Sequence, residues 1–175
     1  MPHQTIAFPG EARSYFKDWL VVCQKTPHSP DNPGICHSNV SVKDKKLFPY
    51  SDGTIFQLTL QRTVNSNHHI EFYHTLECRC PSSEVCLQVD NHPKTTFMVQ
   101  AEGNLAKLSN EQSSSLIPLI QAGCWLIISY ISQGGKLIEM KMSLRGSSAS
   151  LLFIDKLHEN RVQSILLPSR EGIES

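Results

Sequence analysis

Hydrophobic and polar residues alternate with a period of two through most of this chain. The cleanest run is 54–62, where Phe56, Leu58 and Leu60 face one way and Gln57, Thr59 and Gln61 the other, as in a half-buried β-strand. Residues 70–80 repeat the pattern, with Ile70, Phe72, Leu76 and Cys78 opposed to Glu71, Tyr73, Glu77 and Arg79. In 35–42, Ser38, Val40 and Val42 share one side and His37, Asn39 and Ser41 the other. The stretch 18–23 is apolar on both faces, which suits a strand covered on both sides. Shorter β-rich runs follow at 85–89 and 95–99. Two more, 124–132 and 136–144, are joined through Gln133, Gly134 and Gly135, a hairpin signal.

Turn chemistry separates these runs: Pro49 and Asp52-Gly53 in 43–53, Asn65 to Asn67, then 81–84 and 90–93. Helical spacing occurs twice. Ser109 and Gln112 offer a capping box ahead of Leu116, Leu119 and Ile120, Gly123 ends the run, and Pro118 keeps it short. Leu151, Ile154 and Leu157 form a second helical face over 148–157. About eight short strands with two minor helices predict a mostly β fold, an antiparallel β-sandwich. Residues 1–14 lack periodicity and read as a flexible N-terminal arm, 15–160 as a single sandwich domain, and 161–175 as a frayed tail.

Composition narrows the function classes. Sixteen basic and sixteen acidic side chains cancel, so nothing favours nucleic acid or an anionic membrane as partner. The longest apolar run, 124–128, is too short to span a bilayer. The chain has no G-x-S-x-G elbow, no H-E-x-x-H and no phosphate loop, so it is expected not to be an enzyme and to need no cofactor. Trp19 and Trp125 fall in strands and read as packing residues. Asn39-Val40-Ser41 matches a glycosylation acceptor by chance.

Six cysteines change the picture, because cytosolic chains gain little from paired thiols. Between Cys23 and Cys36 lie Pro27, Pro30, Asp31, Asn32, Pro33 and Gly34, a turn-rich excursion that brings two strands back together. A disulfide pinning those strands is the natural reading; two reduced, buried thiols are the alternative. Six cysteines allow 15 pairings, and beyond Cys23–Cys36 the preferred bridge is Cys80–Cys86, with Cys78 and Cys124 free or joined. Cys78, Cys80 and Cys86 with His74, or with His68 and His69, match no established zinc spacing. Interaction surfaces are expected on loops: 24–34, the segment carrying Lys43, Lys45 and Lys46, and the His68-His69 turn.

The chain resembles the invasion-associated locus B family of bacterial envelope proteins. DWLVVC at 18–23 with the later Cys36 is similar to that family's opening motif. LQVD at 87–90, SLIPLIQAG at 115–123 and MKMSLRGSSASLLFIDKL at 140–157 follow in the family's order. One departure is plain: the family's second cysteine pair corresponds here to Val99 and Asn104. The resemblance implies an immunoglobulin-like sandwich without established catalytic activity, and a link to host-cell entry or virulence through a protein or host-surface partner. It also implies export to the periplasm, outer membrane or exterior. The first 15 residues carry no signal peptide, so export requires a leader already removed, whereas an intracellular chain would keep its thiols reduced. The runner-up function is a periplasmic thiol, redox or metal-binding protein using Cys78, Cys80 and Cys86.

Overall fold

The alternation of 54–62 becomes β5 (Thr54–Arg62), whose Phe56, Leu58 and Leu60 are fully buried. The computed structural model describes residues 3–8, 11–26, 29–46, 52–62, 68–76 and 79–166. One sheet has eight strands, in the order β1 (His3–Phe8), β2 (Glu11–Phe16), β3 (Trp19–Thr26), β4 (Ser29–Lys43), β5, β6 (His68–His74), β10 (Leu105–Lys107) and β9 (Gln100–Glu102). The other has four: β12 (Leu137–Ser143), β11 (Trp125–Ile131), β7 (Glu84–Val89) and β8 (Thr95–Met98). All pairings are antiparallel and most join consecutive strands, so local meanders dominate.

The two sheets form a sandwich. Ile70 and Phe72 of β6 meet Val85 and Leu87 of β7 and Leu126 and Ile128 of β11 in one continuous core. Phe56 stacks between Phe72 and Tyr130, with ring centroids 6.2 Å from each. Burial of such side chains is the main favourable term in folding. Eight strands cannot be covered by four, and the helices take up the difference. α1 (Asn110–Ala122) packs on β6, and α2 (Ser147–Leu166) lies over β2, β3 and β4. Beneath α2 a second cluster joins Val21, Cys23, Cys36 and Ile154, flanked by the Phe16–Phe153 pair at 5.3 Å. Ser38 Oγ donates to Ser150 Oγ at 2.7 Å, and an Arg62–Asp155 ion pair ties the end of β5 to the same helix.

The sheets are stitched at one seam. Trp19, fully buried, donates its indole N–H to the Ser143 carbonyl at 3.1 Å, and Ser143 Oγ donates to Asp18 Oδ2 at 2.6 Å. Gly146, at φ +99°, lets the chain pass from β12 into α2 against the Phe16 carbonyl, where any Cβ would collide. The Ser109–Gln112 capping box of α1 is made in both directions. No helix among the described residues is long and apolar enough to cross a membrane.

Several segments differ from expectation. The region read as an N-terminal arm supplies β1 and β2, because backbone pairing with β3 gives a sheet place to residues with no apolar periodicity. Residues 24–26 and 29–35 of the excursion between Cys23 and Cys36 belong to β3 and β4, with register shifts between Cys23 and Lys25 and between Lys25 and Thr26. β6 starts at His68 and ends at His74, and α2 continues to Leu166, into the segment read as a tail. The β9–β10 hairpin, turning at Gly103 with φ +58°, occupies the place where the family resemblance would put a second cysteine pair.

Candidate functional site

Cys23 and Cys36 face each other across β3 and β4 and are joined by a disulfide. The bridge considered between Cys80 and Cys86 is not formed; both stand as free thiols, as does the exposed Cys124. The reason is geometric. Val85, Leu87 and Val89 of β7 point into the core that holds Cys80, and strand alternation turns Cys86 to the opposite face. Burial pushes the Cys80 thiol up to about 11, so at neutral pH it is a protonated, weakly nucleophilic group. Its neighbour Tyr130 donates its hydroxyl to the Arg79 carbonyl at 2.8 Å and is likewise raised by burial.

His74 is a core residue. Its Nδ1 accepts the Leu76 N–H at 3.0 Å, and its ring meets Phe56 edge-on. Cys78 lies outside the described residues. The rest of the group weighed for zinc does not converge, since His74 and Cys80 face the core and Cys86 does not. Among the described residues no group of three or more His, Cys, Asp or Glu is placed to hold a metal. Lys43 ends β4, and Lys45 and Lys46 form the exposed turn after it, where Asp44 accepts the Lys46 N–H at 2.9 Å. His68 and His69 belong to β6, paired with Arg62 and Gln61, so they are strand and not turn residues.

What the sequence does not single out is the outer face of β2 to β6. Register places Arg13, Val22, His37, Gln61 and His69 in one cross-strand row. The next row holds Tyr15, Leu20, Asn39, Thr59 and Glu71, and a third pairs Ser41, Gln57 and Tyr73. The face is concave. One hollow of about 520 Å³ is lined by Tyr15, His37, Asn39 and Gln57 among others, and a second of about 250 Å³ by Gln24, His37, Thr59, Gln61 and Glu71. His37 borders both.

Two ion pairs lie within this face. Arg13 Nε donates to Glu11 Oε2 at 2.8 Å and Lys107 Nζ lies 3.6 Å from Glu71 Oε1. Asp52 accepts the Thr54 N–H and hydroxyl, which hold its carboxyl below the usual range. Burial lowers His37 despite the nearby Glu11 and Glu71 carboxylates, so the imidazole is neutral at neutral pH.

His68 and His74 are lowered too, by burial first and then by Arg62 and Arg79 respectively. The folded state therefore binds fewer protons than the unfolded chain below the ordinary histidine value of 6.5, and stability must fall as pH drops from there. Urea melts taken from neutrality into mild acid are expected to show a declining midpoint, with a shallower decline in His37→Gln. A midpoint that rose on acidification would contradict the assigned burial of these rings.

The fold and face define a disulfide-pinned β-sandwich with a polar, concave sheet surface. One solved structure it is similar to is the crystal structure of invasion associated protein B from Bartonella henselae, with a TM-score of 0.63 over 84% of this chain and 98% of that one, at 12% sequence identity. No protein-family model matches the chain, and no curated protein matches it in sequence. The likeness is one of fold, and it agrees with the family resemblance drawn from the motifs at 18–23, 87–90, 115–123 and 140–157.

Proposed function

We propose that this chain is an exported envelope protein of the invasion-associated locus B type. It is non-catalytic and acts by binding or envelope support at the interface with a host, within a single sandwich domain. The observation that carries this reading is the Cys23–Cys36 disulfide inside a sandwich whose likeness covers 98% of the Bartonella protein. A bond of that kind persists in oxidising compartments and is rare in the cytosol. The thiol and redox alternative is disfavoured by Cys80, whose raised pKa and burial are the reverse of what a reactive cysteine needs.

The test is fractionation of cells producing the protein from its native gene, followed by alkylation of the denatured, unreduced chain. The envelope or exterior fraction should hold the protein, with Cys23 and Cys36 protected until reductant is added. A cytosolic protein alkylated at both positions would overturn the proposal.

A further inference from the structure

β12 ends the smaller sheet. β11 pairs with one side of it, and among the described residues no strand pairs with the other. The ladder fixes which backbone groups face outward. Ser132 donates its N–H to the Lys136 carbonyl just before β12, and Leu144 donates to the Cys124 carbonyl just after it, so the even-numbered residues of the strand bond to β11. Leu137, Glu139, Lys141 and Ser143 therefore aim their N–H and C=O groups away from β11. Two bonds bear this out: the Ser143 carbonyl takes the Trp19 indole N–H, and that of Arg145 takes the Asp18 N–H. Those contacts close the edge at Ser143 and leave it open from Leu137 to Lys141.

Natural edge strands are guarded against pairing by a projecting lysine, a proline, a bulge or a covering segment. β12 pairs with β11 in unbroken register and contains no proline. Its lysine does not project from the edge, because the Lys141 ammonium lies over the Trp125 ring of β11, 4.3 Å from the centroid. Apolar side chains accompany the open edge. Leu137 is 73% exposed beside Ile131 at 52%, and Ile138 and Met140, which point toward the core, are only partly buried.

The charge pattern of the strand selects its partner. In an antiparallel pairing of two copies, outward-facing groups must meet outward-facing groups, which restricts the two-fold axis to a residue position. With the axis at Met140, Glu139 stands opposite Lys141 of the second copy and Lys141 opposite its Glu139. An axis one residue to either side sets Glu139 or Lys141 against itself. Opposite charges directly across a pair of strands stabilise it and like charges destabilise it. An axis at Ile138 leaves Glu139 facing Leu137, and one at Met142 runs into the closed end at Ser143. The register that matches the charges also carries the exposed Leu137 toward Ser143 of the second copy, the cross-strand neighbour of the exposed Trp125.

We propose that two copies of this chain pair antiparallel through the free edge of β12, with the two-fold axis at Met140, joining their smaller sheets into one. The paired stretch, 139–141 in each copy, ends at the Asp18 and Trp19 contacts. So short a seam lies at the small end of protein interfaces and makes a weak, concentration-dependent dimer. The pairing goes beyond the export reading and does not depend on it.

Sedimentation of the full chain from about 10 μM to 1 mM should show monomer passing to dimer, while amide exchange at 139 and 141 slows. Glu139→Lys and Lys141→Glu each turn both cross-strand pairs into like charges and should weaken the dimer by about tenfold or more. Both side chains are exposed, so each variant should keep the parent's circular dichroism. Mixed in equal amounts, the two variants should associate with one another, since each carries the charge the other lacks, and the double reversal should restore self-association. A protein monomeric throughout the range, a dimer indifferent to the single reversals, or reversed variants that do not combine on mixing would each overturn the proposal.

Discussion

Trp19→Ala should destabilise the protein by about 3–5 kcal/mol, the range for deleting a large buried aromatic side chain. Trp19 has no accessible surface, sits where the two sheets approach, and satisfies the Ser143 carbonyl through its indole N–H. Removing it opens a cavity in the main core and leaves that acceptor without its partner. For a chain of this size the loss lowers the melting temperature by roughly 10 °C or more. Trp19→Phe separates the two contributions. It keeps most of the volume and loses the hydrogen bond, about 1 kcal/mol, with a smaller packing loss. Chemical denaturation followed by circular dichroism measures both. A Trp19→Ala protein within 1 kcal/mol of the parent would mean that the seam through Asp18, Trp19 and Ser143 does not hold the sheets together.

The second large effect is the loss of the disulfide. Cys23 and Cys36 are 13 positions apart, and closing a loop of that length stabilises the native state by about 3 kcal/mol in the chain-entropy account. The double variant Cys23→Ala, Cys36→Ala is expected to fall by this amount, plus a smaller packing loss beneath α2, where both sulfurs touch the Ile154 cluster. The fold should survive, since its main core lies elsewhere and contains neither residue. Guanidinium melts of the variant, the reduced parent and the oxidised parent would show the first two nearly superposed and both well below the third. Three superposed curves would mean that the bond is incidental to stability.

What could be read from the sequence tracks the range of the forces involved. β5 and the β11–β12 hairpin follow from neighbouring residues alone, through period-two alternation and the Gly134-Gly135 turn, and so does the capping box of α1. The face shared by His37, Asn39 and Ser41 was likewise visible as alternation. Its cross-strand neighbours were not, because they belong to strands that meet only in the folded sheet.

β2 was missed for a related reason. Glu11, Arg13 and Ser14 carry no apolar stripe, and the segment is a strand because β3 offers it an edge. β9 and β10, at three residues each, are below the length at which periodicity has content, with Gly103 their sole local sign. Asn65, Ser66 and Asn67 before the histidine pair at 68–69 make it read as a turn from sequence alone. Pairing with β5 instead extends the strand back to His68.

The covering of β3 and β4 by α2 has a bearing on how the molecule is made. Ile154 and Leu157 roof the sulfurs of Cys23 and Cys36, so a dithiol catalyst or small oxidant meets them only while that roof is off. Covalent closure is then expected before the helix seats during maturation, and in the finished protein the rate at which a mild reductant cuts the bond should follow the helix lifting away.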